Sequence, residues 1–225
     1  MFIWYLGTAF ELAFVVCSIA RKSFFTYFFL NLYMLVTILA DVARWLALAK
    51  FGQNSEQYMY SYYYTDALLT VVLYVLLISL FSRVFGELRF AKHMRLAAVV
   101  LLLGTAGFSY AVVAQSHDRL VTGFAYELSQ NLYFVGIILT YLLWGAILKL
   151  RETRTRLVQI VLALGLYFSA YAASYALMNL TPEVRVVNYA SPLLGCFLPL
   201  AWCITIMRYS EESRLAPAQL VAVPR

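Results

Sequence analysis

Seven stretches of the chain run for about 20 residues with hardly a charge, and no other feature constrains the fold as strongly. They cover roughly residues 2–20, 24–49, 58–84, 96–115, 122–148, 157–180 and 188–207. The bilayer core offers backbone polar groups no water, so a spanning segment must satisfy its own N–H and C=O groups. An α-helix does this within one segment. The strands of a membrane barrel would alternate apolar and polar residues, and these runs do not. The expected fold class is therefore an all-α membrane protein with seven transmembrane helices over residues 1–208 and a short cytoplasmic tail over 209–225. Composition agrees. The chain is 64% hydrophobic and 12% charged, against about 45–50% and 25% in soluble domains.

Orientation follows from the connections. If alternate helix ends share a side, one side gathers Arg21, Lys22, Arg83, Arg89, Lys92, Arg95, Lys149, Arg151, Arg154, Arg156, Arg208, Arg214 and Arg225, leaving only Arg44, Lys50, Arg119 and Arg185 opposite. The positive-inside rule then puts the N-terminus outside and the C-terminus in the cytoplasm, with the plasma membrane as the expected location. The net charge of +6 is accounted for by topology and anionic lipid, without nucleic acid. The first segment carries Glu11 mid-run and lacks a basic leader, so it is expected to be a retained helix rather than a signal peptide.

Two short motifs recur at the outer ends of helices. GTAFEL at 7–12 matches GFAYEL at 123–128, and YTDALL at 64–69 matches YASPLL at 189–194. Helix 1 thus pairs with helix 5 and helix 3 with helix 7, as a 3+1+3 parallel duplication would give. In helix count and repeat order this architecture resembles the SWEET sugar facilitators. The Pro-Gln signature of that group is missing, and no proline precedes Pro182.

Ionisable groups inside a membrane are costly, so they face the bundle interior and mark candidate sites. Counting about 1.5 Å per residue, Glu11, Asp41, Asp66 and Glu127 lie about 8–13 Å below the outer helix ends. Gln130 and Asn131 continue the polar face of helix 5. Asp41 and Arg44, three residues apart, are expected to meet on one helix face, leaving the other acids without a base. Several carboxylates in one low-dielectric cavity cannot all stay ionised. Either some are protonated or a cation joins them. Tyr64, within a tyrosine-rich outer segment, adds an aromatic face suited to an organic cation. The expected ligand-binding set is Glu11, Asp41, Arg44, Tyr64, Asp66, Glu127, Gln130 and Asn131.

The remaining chemistry is excluded residue by residue. His93 and His117 lie in opposite connections, so neither a histidine zinc site nor a Ser-His-Asp triad is available, and helix 7 has no lysine for a retinal Schiff base. Cys17, Cys196 and Cys203 fall within the apolar runs and form no metal or redox motif, so no metal or cofactor is expected. The chain reads as a non-enzymatic sensor or receptor-like module with an outward-facing polar pocket, acting on a small polar or cationic ligand through a protein partner or a homo-oligomer. The alternatives are a small-solute facilitator or proton-coupled transporter, and an accessory subunit of a membrane complex. Cysteines placed at Asn54 and Ser210 are expected to react with an impermeant thiol reagent from opposite sides of the membrane. Labelling of both from one side would overturn the topology.

Overall fold

The computed structural model describes residues 2–85, 91–115, 120–149, 154–180 and 187–210. Seven helices form: α1 (Phe2–Ala20), α2 (Phe28–Phe51), α3 (Glu56–Val84), α4 (Ala91–Gln115), α5 (Leu120–Lys149), α6 (Thr155–Leu180) and α7 (Val187–Arg208). Each coincides with an apolar run of the sequence. Four contain stretches long and apolar enough to cross a membrane: Phe28–Phe51, Glu56–Val84, Gly123–Lys149 and Thr155–Leu177. The apolar parts of the others, among the described residues, are the shorter Trp4–Ala20, Val99–Ala114 and Leu193–Arg208. The tail beyond Ser210 and the basic residues Arg89, Arg119, Arg151, Arg185, Arg214 and Arg225 lie outside the described residues.

Helix α2 starts later than the sequence suggests, and a buried asparagine explains the difference. The Asn31 amide donates to the Phe24 carbonyl at 3.2 Å and to that of Tyr27 at 3.0 Å, so residues 24–27 fold into a turn. At the far end of α2, Gly52 takes φ 79° and its N–H caps the Leu48 carbonyl at 3.0 Å, a left-handed position suited to glycine. Ser55 then opens α3, its hydroxyl accepting from the Tyr58 N–H at 3.1 Å.

The helices close into a ring in the order α1, α2, α3, α5, α6, α7, with α4 packed outside against α3 and α5. Inside the ring, Phe14, Leu30, Leu73, Leu77, Leu80 and Trp202 are buried, and the Trp202 indole donates to the Ile160 carbonyl at 3.2 Å. Trp202 also meets Phe14 and Tyr33, each with ring centroids 6.1 Å away, so one side chain of α7 joins α1, α2 and α6.

Arginines fasten one end of the bundle. Buried Arg156 donates to the Ser23 hydroxyl at 2.9 Å and to the carbonyls of Ile206 and Tyr209, tying α6 to the α1–α2 turn and the end of α7. Arg21 reaches the Met207 carbonyl at 3.0 Å, and Arg83 donates to Thr26 while lying 4.6 Å from the Tyr27 ring centre. The bundle thus has an Arg156 end and, opposite, an Asn54 end where α2 finishes and α3 begins.

Helices α5 and α6 approach closely through glycine. A Cβ at Gly136 would sit 2.3 Å from the fully buried Phe168 ring, and one at Gly165 would meet the Thr140 methyl at 2.9 Å. Gly136→Ala is expected to cost about 1–3 kcal/mol through overpacking, read as a lower melting temperature in detergent. Adding Phe168→Leu should restore part of the loss. An unchanged Gly136→Ala protein would contradict this packing.

Candidate functional site

A cavity of about 260 Å³ occupies the ring interior from the Asn54 end to mid-bundle. Every helix of the ring contributes to its wall. Helix α1 supplies Glu11, α2 supplies Asp41 and Arg44, and α3 supplies Tyr62 and Asp66. The aromatic side comes from Tyr133 of α5 and from Tyr167 and Tyr171 of α6, and α7 presents Gly195 and Pro199. Helical periodicity explains which side chains arrive there. Residues 58, 62 and 66 are four apart and share one face of α3, as do 37, 41, 44 and 48 on α2.

The ion pair forms between helices rather than within α2. The Arg44 Nη2 lies 3.9 Å from Asp66 Oδ1, Nε donates to the Thr65 hydroxyl at 2.7 Å, and the guanidinium stands 4.5 Å from the Tyr62 ring centre. This corrects two expectations: Arg44 does not pair with Asp41, and Asp66 does not lack a base. The reason is donor satisfaction. Helix α3 offers Arg44 a carboxylate, a hydroxyl, the Tyr62 carbonyl at 3.4 Å and a ring, whereas Asp41 offers one carboxylate. Asp41 instead accepts from the Thr8 hydroxyl at 2.8 Å, joining α2 to α1. The second oxygen of Asp66 accepts from the Tyr175 phenol at 3.2 Å, joining α3 to α6.

Glu11 differs from both aspartates. It is 4% exposed, and its Oε2 is buried with no hydrogen-bond partner among the described residues.

Four of the eight candidate residues, Glu11, Asp41, Arg44 and Asp66, line the one cavity, and four do not. Tyr64 is 51% exposed and stacks on Tyr60; it lies two residues from Asp66 and so faces away, and Tyr62 takes the place expected for it. Glu127 is half-buried away from the lining. The Asn131 amide donates to Ser109 of α4 at 3.0 Å, and the Gln130 Oε1 is buried without a partner among the described residues. Helix α5 therefore offers the cavity Tyr133 rather than its amide pair.

The sequence reading missed Thr8, Tyr33, Tyr133, Tyr167, Gly195 and Pro199. Four-residue spacing from Glu11, Thr37 and Tyr171 would have found Gly7, Tyr33 and Tyr167. Pro199 has no N–H to give the Gly195 carbonyl, so a backbone acceptor is released inside α7 where both residues line the cavity. The two phenols of Tyr33 and Tyr167 lie 3.4 Å apart, and the Tyr133 and Tyr171 rings stack at 4.8 Å, making one side of the cavity aromatic.

Comparison of the chain with family models, with curated proteins and with solved structures finds no match.

The Arg44–Asp66 pair generates a double-mutant test. Arg44→Met should be the costlier single change, because it leaves the partly exposed Asp66 carboxylate with only the Tyr175 phenol. Asp66→Asn leaves Arg44 its contacts on α3 and should cost less. The two together should show a coupling of about 0.5–3 kcal/mol in detergent unfolding. Additive losses would mean that the two side chains do not interact.

Proposed function

We propose that the protein is a non-enzymatic, seven-helix integral membrane module with its N-terminus outside, which binds a small molecule in the cavity and passes the binding event to a partner protein. The observation that carries this reading is the cavity itself. It gathers three carboxylates, a guanidinium and a tyrosine wall at one end of the bundle, whereas the middle is filled with apolar side chains and the other end is tied by Arg156. Polar groups held this deep cost free energy unless something uses them. The arginines at the Arg156 end support a cytoplasmic placement of that end by the positive-inside rule.

A binding site shared by six helices suits a sensor. Occupancy shifts the balance between bundle conformations only through contacts that differ between them, and the cavity touches α1, α2, α3, α5, α6 and α7 at once. Facilitated transport is the second reading, favoured by the helix order. Exchanging α1, α2 and α3 with α5, α6 and α7 maps the ring onto itself, which a parallel duplication requires.

The test uses a variant that fills the cavity. A Cβ on Gly195 would meet nothing within 4 Å, so Gly195→Phe projects a ring into open space. Across a library of small polar and charged solutes, at least one should raise the melting temperature of the purified protein and lose that effect in Gly195→Phe. The reconstituted protein should not exchange this solute across liposomes. Counterflow of the solute would favour the facilitator, and a library without any cavity-dependent binder would overturn the binding reading.

A further inference from the structure

The three carboxylates of the cavity are not equivalent. Asp41 is met by the Thr8 hydroxyl, and Asp66 by Arg44 and the Tyr175 phenol. Glu11 Oε2 has no partner among the described residues although the side chain is 4% exposed. Arg44 does not meet this oxygen, because its hydrogen bonds and its ion pair run to Thr65, Tyr62 and Asp66 of α3. An acceptor buried in this way costs free energy unless a donor meets it, and the penalty grows if it is charged.

Water can donate there but carries no charge; three other occupants could meet that oxygen, and the chemistry separates them. Protonating Glu11 adds an O–H that itself needs an acceptor. A hard metal ion needs several oxygen ligands around one point, and among the described residues no group of three or more acidic, histidine or cysteine side chains could hold one. An organic ammonium needs only one carboxylate, further acceptors for its remaining N–H groups, and apolar or aromatic surface for its carbon body. The cavity supplies each of these. The Gly195 carbonyl, released by Pro199, stands on α7, and α7 packs against the α1 helix that carries Glu11. The tyrosine side, with the stacked Tyr133 and Tyr171 rings and the Tyr33 and Tyr167 phenols, offers aromatic surface for the carbon body. Charge balance points the same way, with three carboxylates against one guanidinium on the wall.

We infer that the ligand of this cavity is a small protonated amine carrying at least one N–H, which donates to the Glu11 carboxylate and to the Gly195 carbonyl while its body lies against the tyrosine wall. The inference rests on the binding reading above and adds the ligand class. The N–H is the discriminating element. A quaternary ammonium satisfies charge and aromatic faces but leaves Oε2 without a donor.

A matched series isolates each element: phenethylamine, its trimethylammonium analogue, phenethyl alcohol and 3-phenylpropionate. Each is titrated into the purified full-length protein at one pH, and binding is read from the shift in melting temperature. Phenethylamine should bind at least tenfold more tightly than the other three. Glu11→Gln should weaken it about ten- to hundredfold, the range for a hydrogen bond to a charged group, and Glu11→Asp should lose less. The comparison of the four probes on the unaltered protein stands even if a variant fails to fold. The inference is overturned if the trimethylammonium compound binds as well as the amine, if Glu11→Gln binds the amine unchanged, or if no member of the series binds. Should the alcohol or the carboxylate bind instead and lose its effect in Gly195→Phe, the amine class falls while the binding reading stands.

Discussion

A carboxylate withdrawn from water must be met by a donor or a cation, and this requirement arranges the upper part of the bundle. Asp66 draws Arg44 across from α2 and the Tyr175 phenol from α6, while Asp41 draws Thr8 from α1. These contacts join four helices around a cavity that uniformly apolar packing would have closed. The opposite end obeys the same rule with the signs reversed. There Arg156 is buried, and a hydroxyl together with carbonyls at the end of α7 receives its N–H groups. Between the two polar ends lies the apolar layer around Phe14, Leu77 and Trp202, held by packing and by the Trp202 indole bond to the Ile160 carbonyl.

The asymmetry between the ends bears on function. Cross-links at the Arg156 end join α1, α2, α6 and α7, and those around the cavity join α1, α2, α3 and α6. Pro199 removes one backbone hydrogen bond within the continuous helix α7 where it lines the cavity, and a Cβ on Gly195 would meet nothing within 4 Å. A ligand that bridges Glu11 on α1 to the released carbonyl on α7 would act where these two neighbouring helices meet. Such a contact couples binding to helix position, which either a receptor or a carrier would exploit.

The helices were legible in the sequence because a membrane-length apolar run permits little else. The start of α2 was not, since residues 24–27 are as apolar as the helix and only the Asn31 side chain diverts them. Depth was legible too. Glu11, Asp41 and Asp66 share a level because rise per residue is fixed, and they share a cavity. Direction around the helix axis was harder. Tyr62 rather than Tyr64 faces inward because it lies one turn from Asp66, whereas Asn131 turns to Ser109 of a helix outside the ring. Partner choice was the least legible. Thr8 and Asp41 are 33 residues apart and Tyr175 and Asp66 are 109 apart, so only the closed ring brings them together.

The polar cavity lies toward the Asn54 side and the bundle is packed shut toward Arg156, an arrangement that substituted-cysteine accessibility can test. In a protein whose Cys17, Cys196 and Cys203 are replaced by serine or alanine, single cysteines go in at Thr37 on the cavity wall and at Leu77 in the buried layer. Thr37→Cys should react with a small hydrophilic thiosulfonate applied from the side that exposes Asn54, and Leu77→Cys should stay unreactive from both sides. Equal reactivity at the two positions, or labelling of Thr37→Cys only from the side that exposes Ser210, would contradict it.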